Sequence, residues 1–327
     1  MQSLKFKKIL FLGLGGAGQR HLRIFSKYFH NKDFAKYAYR FKKKTPFLDK
    51  NFKPNNKKLN EVYKLKILKS FQQAVTINPD IIFISTPSSV RYILIKNFKK
   101  NKQIFFVEKP LAISIKELNL IKKHVKKYKQ RIAVLFQKRF HPHNVLTIKK
   151  IKEGFFGKIL FVKFITKSFM PHWHTYENFR KLYAAKKNLG GGVVLTECHE
   201  IDLCLYFFGK PIKYNIYLAK REKYKLDIYD QAKIYLKYKK FNVLIEIDFL
   251  NKNMERSYHI FGTKNFVISD QVTNIYKYKN YRKFYKLNND YLFIKQLKYF
   301  MLLSENRNFS EANTSSAKTI INLANSV

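Results

Sequence analysis

The chain has 327 residues, 46% of them hydrophobic, so it is long enough for two domains that each bury a core. Its formal net charge is +45, but Lys and Arg occur in almost every segment rather than in one stripe, which argues against nucleic acid as a partner. The two cysteines form no Cys-x-x-Cys pair, and no apolar stretch reaches the ~20 residues of a membrane span. We therefore expect a globular, cytoplasmic protein whose charge attracts anionic small molecules.

A glycine-rich turn separates the first predicted strand, residues 9–12, from the first predicted helix, residues 17–29. Gly13 would permit the tight turn, Gly15 would let the backbone approach a pyrophosphate, and Gly18 would permit close packing of helix on strand. The unsatisfied N–H groups of the helix N-terminus would hold the anion. The pattern therefore predicts dinucleotide binding by the turn residues Gly13, Leu14, Gly15, Gly16, Ala17 and Gly18.

Strands and helices alternate through the rest of the first half. The predicted strands are residues 34–40, 81–84, 104–107 and 132–136, and the predicted helices are residues 65–75, 89–100 and 114–128. The last helix begins with Ser114 as its cap and Glu117 three residues later. This alternation is typical of right-handed crossovers in a doubly wound parallel sheet, and predicts an α/β dinucleotide-binding domain of the Rossmann type over residues 1–136.

The pattern changes after residue 136. Predicted strands follow one another with few helices between them, at residues 159–165, 213–218, 232–238 and 243–250. The last two alternate in hydrophobicity across a tight Lys239-Lys240 turn, which is typical of an antiparallel hairpin. Closing helices are predicted at residues 292–303 and 312–325. Residues 137–327 are therefore predicted to form an α+β domain for substrate binding and oligomerisation, with a largely antiparallel, open-faced sheet.

Three motifs together resemble one known family. Glu108-Lys109-Pro110 follows the apolar strand of residues 104–107, and Gly190-Gly191-Gly192 leads into a helix that carries His199. With the glycine turn, they resemble the glucose-fructose oxidoreductase, inositol dehydrogenase (Gfo/Idh/MocA) family, essentially end to end. Further similar stretches are Thr86-Pro87, Arg139-Phe140-His141-Pro142, Trp173-His174, Tyr176-Glu177, Phe179-Arg180 and His199-Glu200-Ile201-Asp202.

The resemblance implies an activity. Members of the family mostly oxidise or reduce a sugar or cyclitol hydroxyl with NAD(P), and the His199-Glu200-Ile201-Asp202 stretch looks most like the branch linked to surface-polysaccharide and amino-sugar pathways. The resemblance also implies a cis peptide bond before Pro110 and a homodimer or homotetramer. The expected substrate is a small sugar or a nucleotide-linked sugar.

Two residues are the candidate catalytic groups. Lys109 would emerge at the carboxyl end of a parallel strand, where its ammonium could hydrogen-bond the reacting oxygen while Glu108 holds it in position. His199 suits acid and base catalysis, because an imidazole with an unperturbed pKa near 6.5 exchanges a proton at neutral pH. Its helix is expected to begin just after Gly192, so that Thr196 shares its face and Asp202 orients its ring.

The remaining substrate contacts are less specific. Arg180 and His174 would bind a sugar or its anionic substituent, or simply pack in a loop, and Trp173, the only tryptophan, would stack on a sugar or lie in the core. The full predicted set of substrate-binding residues is Lys109, Arg139, Trp173, His174, Arg180, Thr196 and His199. No standard zinc spacing occurs, so no metal is predicted.

Two positions depart from the family's pattern. Many members carry Asp near Thr196, and many carry His at the position of Arg91. These departures keep open a second hypothesis, a binding or regulatory protein that has a dinucleotide pocket but no turnover. A third hypothesis, nucleic-acid binding, requires the charge itself to be the function.

The end of the second strand bears on the cofactor. An NAD enzyme usually carries Asp or Glu there to bind the ribose 2′-hydroxyl, but residues 37–44 contain no acid. Arg40, with Lys42 or Lys43 beside it, suits a 2′-phosphate, so NADP(H) is favoured and NAD(H) stays open. Thr86, Pro87, Glu108 and Lys109 complete the predicted cofactor-binding residues.

Overall fold

A computed structural model describes residues 8–29, 34–41, 45–174, 176–305 and 311–326. Its contacts divide the chain into two compact units, the first comprising residues 1–135 with 289–318 and the second comprising residues 136–288 with 319–327. The described residues between 289 and 318, which were predicted to lie in the second domain, have their contacts in the first unit. The predicted cofactor contacts of Lys42 and Lys43 fall outside the described residues.

Strands and short helices alternate over the first part of the chain. In order they are β1 (Lys8–Leu12), α1 (Gly16–Tyr28), β2 (Ala35–Tyr39), β3 (Phe47–Leu48), β4 (Pro54–Asn55), α2 (Leu59–Tyr63), β5 (Leu65–Ile67), α3 (Phe71–Thr76), β6 (Ile81–Ile84), α4 (Arg91–Ile95), β7 (Ile104–Val107), α5 (Ile115–Lys127) and β8 (Arg131–Val134).

The second part is dominated by strands. In order the elements are α6 (Pro142–Lys152), β9 (Ile159–Phe169), α7 (Val193–Thr196), α8 (His199–Phe208), β10 (Lys213–Ala219), β11 (Gln231–Lys237), β12 (Asn242–Asp248), β13 (Leu250–Gly262), β14 (Phe266–Asp270), β15 (Ile275–Tyr278) and β16 (Tyr281–Phe284). The chain ends with α9 (Tyr291–Glu305), β17 (Glu311–Ala312) and α10 (Ala317–Ala324).

The first unit is built on a seven-stranded sheet in the order β17-β8-β7-β6-β1-β2-β5, and every pair in it is parallel. This confirms the predicted doubly wound sheet. The predicted helix over residues 65–75 was wrong, because Leu65–Ile67 pairs as an edge strand with β2. The Ser70 side chain then accepts a hydrogen bond from the Gln73 N–H and starts α3 afresh.

Aromatic side chains fill the core of this unit. The Phe11 and Phe83 rings stack with centroids 4.9 Å apart, and Phe83 meets the edge of Phe106 at 5.0 Å. Phe300 of α9 lies against Phe106 at 5.8 Å, so α9 belongs to the same core. Burial on both faces explains why β6, β7 and residues 9–12 of β1 are uniformly apolar in sequence.

The second unit is built on an eight-stranded sheet in the order β10-β11-β12-β9-β13-β14-β15-β16. All neighbours are antiparallel except β12 and β9, which confirms the predicted largely antiparallel sheet. The hairpin at Lys239-Lys240 is confirmed, with the Tyr238 N–H donating to the Phe241 carbonyl over 3.0 Å. One face is covered by α8, whose Phe207 ring lies 6.2 Å from that of Phe164 on β9.

The close approach of α1 to β1 generates a prediction. A Cβ atom at Gly18 would lie 2.0 Å from the Gly13 carbonyl oxygen. Because this oxygen belongs to the backbone, it cannot move aside as the end of a flexible side chain could. We expect Gly18→Ala to lower the free energy of unfolding by about 1–3 kcal/mol or more, measured by urea denaturation. Gly15→Ala is the matched control, since a Cβ there meets no atom within 4 Å, and its stability should stay within about 0.5 kcal/mol.

Candidate functional site

The glycine turn forms an open cradle at the start of α1. Gly13 has φ +84°, a conformation that favours glycine, and its N–H donates to the Tyr39 carbonyl over 3.1 Å. Gly15 precedes the helix, carries no side-chain cap, and faces open space where a Cβ would stand. The first N–H groups of a 13-residue helix are thus left available to an anion.

Hydroxyl groups follow β6, the neighbour of β1 in the sheet. The side-chain oxygens of Ser85, Thr86 and Ser88 are buried and have no hydrogen-bond partner among the described residues. A Cβ at Gly13 would touch this segment, at 3.0 Å from the Ser85 carbonyl oxygen. Because buried polar groups normally find a partner, these hydroxyls suit a polar ligand at the carboxyl edge of the sheet. The residues present therefore fit the pyrophosphate and sugar of a dinucleotide.

The Glu108-Lys109-Pro110 segment, hereafter the Lys109 loop, follows β7 at the same edge. Its first N–H, that of Glu108, donates to the Ile84 carbonyl at the end of β6 over 2.9 Å, and the Lys109–Pro110 peptide is cis, as the family resemblance implies. The Lys109 side chain is partly exposed. Strand β7 therefore delivers this lysine to the edge where the glycine cradle lies.

Glu108 is held by its neighbours. Its carboxylate lies 2.7 Å from Nε2 of His21 on α1. Burial raises the pKa of Glu108, but the His21 hydrogen bond and the charges of His21, Lys109 and Arg91 outweigh burial, so the pKa is lowered. Glu108 therefore stays ionised and fixes the loop to α1.

Arg91, the first residue of α4, lies beside the Lys109 loop, and its role was left undefined by the sequence. Its side chain is 2% exposed. The guanidinium donates to the Thr86 carbonyl over 2.9 Å and to the Lys109 carbonyl over 3.5 Å, and also to the carbonyls of Glu108 and Pro110. The signal in the sequence was the departure itself, an arginine where the family often has histidine.

Arg40 lies at the end of β2, as predicted. Its guanidinium donates to the Thr45 carbonyl, and partial burial lowers its pKa. The hydrogen bond ties the Arg40 guanidinium to Thr45, five residues further along the chain. A cation is therefore positioned where an acid would bind a ribose hydroxyl.

In the second unit, His199 starts a helix instead of continuing one. The helix expected from Gly192 onward is broken, because α7 ends at Thr196 and Cys198 precedes α8 as its cap residue. The carboxylates on either side of the break both bind Arg256 of β13, Glu197 at 2.5 Å and Glu200 at 3.2 Å. The expected helical relation between Thr196 and His199 was therefore wrong.

The surroundings of His199 are polar on one side and aromatic on the other. The ring is 4% exposed, with Nε2 of His199 3.3 Å from Nε2 of Gln137, and its edge faces Phe136 at 6.0 Å. Gln137 belongs to a 3-10 turn, residues 137–140, that the sequence analysis did not connect with His199. The amide nitrogen of Gln137 can only donate, so Nε2 of the neutral ring is the acceptor and Nδ1 carries the hydrogen.

Arg139 and Asp202 form a buried ion pair. The two nitrogens Nε and Nη2 of Arg139 donate to the two carboxylate oxygens of Asp202 over 2.8 and 2.6 Å, and the guanidinium lies 4.6 Å from the centre of the Tyr206 ring. Both oxygens of Asp202 thus bind Arg139. This pair ties the 3-10 turn to α8.

Lys138, between Gln137 and Arg139, has an unusually low pKa for a lysine. Burial and the nearby Arg256 lower the pKa of Lys138 to about 7, against the opposing effect of Glu200 and Glu197. Burial likewise raises the pKa of Glu200. Lys138 therefore titrates near neutral pH, in the same 3-10 turn as Gln137, which lies beside His199.

Trp173, His174 and Arg180 lie along one irregular segment. The Trp173 ring meets the edge of Phe249 at 5.7 Å, and the ring centres of His174 and Tyr176 are 5.4 Å apart. Arg180 is exposed and lies over the Phe179 ring at 4.6 Å. This segment borders an open cavity of about 420 Å³, which is lined by Pro171, Tyr176, Glu177, Asn178, Phe179 and Arg180.

The described part of the chain has neither a cluster of metal-ligating side chains nor a helix that could span a membrane. Within residues 8–29, 34–41, 45–174, 176–305 and 311–326, no group of three or more His, Cys, Asp or Glu side chains could hold a metal ion. Over the same residues, every helix is too short or too polar to cross a bilayer.

The Arg139–Asp202 pair gives a prediction that separates structure from substrate binding. Because both side chains are at most 10% exposed, Arg139→Met should leave a buried carboxylate without its partner and cost about 3–5 kcal/mol in urea unfolding. The double variant Arg139→Met/Asp202→Leu should recover most of that loss, since it removes both charges. A double variant no more stable than the single one would show that the pair does not act as a unit.

The sequence of the chain matches the models of one oxidoreductase family and resembles curated relatives over part of its length. Residues 7–136 match the model of the GFO_IDH_MocA oxidoreductase family with an NAD-binding Rossmann fold, and residues 146–268 match the GFO/IDH/MocA C-terminal domain. Among curated relatives, the scyllo-inositol 2-dehydrogenase (NAD(+)) of Bacillus subtilis (strain 168) is 27% identical over 138 residues, which are 41% of this chain. The match spans 36% of that relative's own length.

Solved structures resemble the whole chain. A levoglucosan dehydrogenase in complex with NADH has a TM-score of 0.78 at 15% identity, covering 98% of this chain and 95% of that one. The WlbA dehydrogenase of Chromobacterium violaceum, in complex with NADH and UDP-GlcNAcA, has a TM-score of 0.76 at 16% identity, covering 98% and 93%. At such identities the likeness shows the fold.

Proposed function

Because the chain belongs to the Gfo/Idh/MocA oxidoreductase family, we propose that it is an NAD(P)-dependent enzyme that interconverts a hydroxyl and a keto group of a sugar or nucleotide-linked sugar. The observation that carries the proposal is the placement of the glycine cradle and the Lys109 loop at one edge of one sheet. A bound nicotinamide dinucleotide would accept or supply the hydride. The structural relatives with NADH and a nucleotide-linked sugar support this class of substrate.

The cradle residues would hold the dinucleotide. The N–H groups at the start of α1 bind the pyrophosphate, Gly15 admits it, and the hydroxyls of Ser85, Thr86 and Ser88 contact its polar groups. Arg40 favours NADP(H), because a guanidinium at the end of β2 pairs with a 2′-phosphate and an acid is missing from that position. NAD(H) is the competing cofactor, and NADH complexes of solved relatives support it.

Lys109 would act on the reacting oxygen. An ammonium hydrogen-bonded to that oxygen stabilises the negative charge that develops as the hydroxyl proton departs, and polarises the carbonyl in the reverse direction. Its strand and its ionised neighbour Glu108 set the direction of the side chain. This is an electrostatic role that a neutral residue of the same length cannot perform.

His199 would move the proton. During oxidation the imidazole accepts the hydroxyl proton, and during reduction it returns one to the oxygen. Nε2 of His199 exchanges this proton by giving up its contact with the Gln137 amide, and Lys138 of the same 3-10 turn as Gln137, with a pKa of about 7, is a further group that can titrate. Thr196 is buried next to the break before α8 and is proposed to line the substrate rather than to titrate.

The segment around Trp173 would bind the distal part of the substrate. Arg180 is exposed beside an aromatic ring and an open cavity, which suits a phosphate or carboxylate substituent next to a planar group. The second candidate function, a dinucleotide-binding regulator without turnover, is favoured by the absence of a carboxylate at Thr196.

Cofactor titrations and a substrate panel test the proposal. The purified chain should bind NADPH more tightly than NADH in fluorescence titrations. Nicotinamide absorbance should then change with at least one member of a panel of free keto-sugars, cyclitols and UDP-linked sugars. NADPH binding with no absorbance change for any of them would favour the regulator, and indifference to both cofactors would overturn the assignment.

Variants would assign the roles of the two catalytic groups. Lys109→Met and His199→Asn should each lower kcat/KM by about 100-fold or more while NADPH binding changes little. The kcat/KM of the double variant should be close to that of the more impaired single variant, because the effects of groups that act in one step are not additive. Lys116→Met, an exposed lysine on α5, is the matched control and should retain activity.

We further propose that the chain forms a homodimer or homotetramer through the open face of its eight-stranded sheet. Phe161 and Phe261 lie opposite each other on β9 and β13, and Tyr217 and Tyr235 meet on β10 and β11, all at least 39% exposed. Such an apolar patch is typical of an interface. Phe261→Glu should reduce the mass measured by sedimentation velocity, whereas Leu302→Glu, at an exposed position of α9, should not.

A further inference from the structure

Arg91 joins two loops at the carboxyl edge of the sheet. Strands β6 and β7 are neighbours, with Ile84 opposite Val107, so the segments that follow them run side by side. Arg91 lies between these segments, 2% exposed, with Nε 3.3 Å and Nη2 2.9 Å from the Thr86 carbonyl oxygen. One side chain therefore reaches the backbone of both segments.

The acceptors on the second segment are successive. The guanidinium donates to the carbonyls of Glu108 and Pro110, and Nη2 lies 3.5 Å from the carbonyl oxygen of Lys109 itself. A planar group with five fixed donors satisfies several carbonyls only if the backbone follows one path. The three residues of the Lys109 loop thus have their backbone direction set by a single cation.

A buried cation requires compensation, and Glu108 provides it. The charge of Arg91 contributes to keeping Glu108 ionised, while His21 binds the same carboxylate at 2.7 Å from α1. The Lys109 loop is therefore gripped on its backbone by Arg91 and through its first side chain by His21. This arrangement has more donors and charges than a turn needs merely to fold.

We propose that Arg91 is a positioning residue for Lys109. The forked guanidinium of Arg91 binds the backbone of the Lys109 loop and thereby sets the direction from which Lys109 projects. The inference rests on the proposed function, in which the Lys109 ammonium contacts the reacting oxygen. Lysine at this position would keep the charge but lose the fork, because an ammonium is a point charge that cannot bind successive carbonyls in fixed directions. The fork, not the charge, is the property that matters.

Two variants and two measurements test this. For Arg91→Lys and Arg91→Met, we expect faster amide hydrogen exchange in residues 108–113 and a fall of about 100-fold in kcat on the substrate identified by the panel. NADPH binding should change by less than about threefold, since the cradle of α1 is untouched. Arg91→Lys serves if Arg91→Met does not fold.

Arg131→Met is the matched control. Arg131 lies at the start of β8, at the amino-terminal end of the strands of the same parallel sheet. It also donates to a backbone carbonyl, that of Ser304, over 2.7 Å. This variant should lower the melting temperature without changing exchange in residues 108–113 or kcat. It separates a general loss of stability from a local loss of position.

Several results would overturn the proposal. Exchange in residues 108–113 that stays at the wild-type rate would show that Arg91 does not fix the loop. A kcat restored by Arg91→Lys would assign the effect to charge, and a loosened loop with unchanged kcat would remove the link to Lys109. If the wild-type chain turns over no substrate, the proposed function fails, while hydrogen exchange still decides whether Arg91 holds the loop.

Discussion

The first unit depends on the approach of α1 to the end of β1, at a distance that a methyl group would abolish. Gly18 presses its backbone against the Gly13 carbonyl, and that contact aims the helix N-terminus at the edge of the sheet. The uncapped N–H groups, the open side of Gly15 and the hydroxyls beyond β6 all derive their positions from it. A helix set further away would still cover the core but would no longer present its N-terminus as an anion site.

Charged side chains also fix the backbone at the carboxyl ends of these strands. Glu108 is buried, yet His21 and Arg91 keep it ionised, so a carboxylate inside the protein orders the backbone from which Lys109 projects. The second unit uses a similar device, since Arg256 spans Glu197 and Glu200 across the break between α7 and α8. In both places an arginine, buried in the first unit and partly buried in the second, fixes an irregular segment that hydrogen bonds within helices and strands cannot fix.

The sequence predicted the elements whose local pattern agrees with their environment. The apolar runs of β1, β6 and β7 mark strands buried on both faces, and Ser114 caps α5 as expected because its side chain accepts from the Glu117 N–H. Leu65–Ile67 was missed, since three residues carry too little periodicity to distinguish an edge strand from a helix. The break before His199 was missed for another reason. Arg256, which binds Glu197 and Glu200 on either side of the break, lies 57 residues beyond His199, and no local pattern encodes that contact.

The groups proposed to do chemistry lie where regular structure stops. Lys109 follows a strand, His199 starts a helix, and Gln137 and Arg139 belong to one short 3-10 turn that binds α8 twice. Strands and helices tolerate wide exchange of apolar residues, which is why relatives with 15–16% identity keep the fold over 98% of the chain. Irregular segments have no such freedom, because each is held by a few named polar contacts. Differences in activity within this fold should therefore follow from contacts such as that of Arg91 rather than from the sheets.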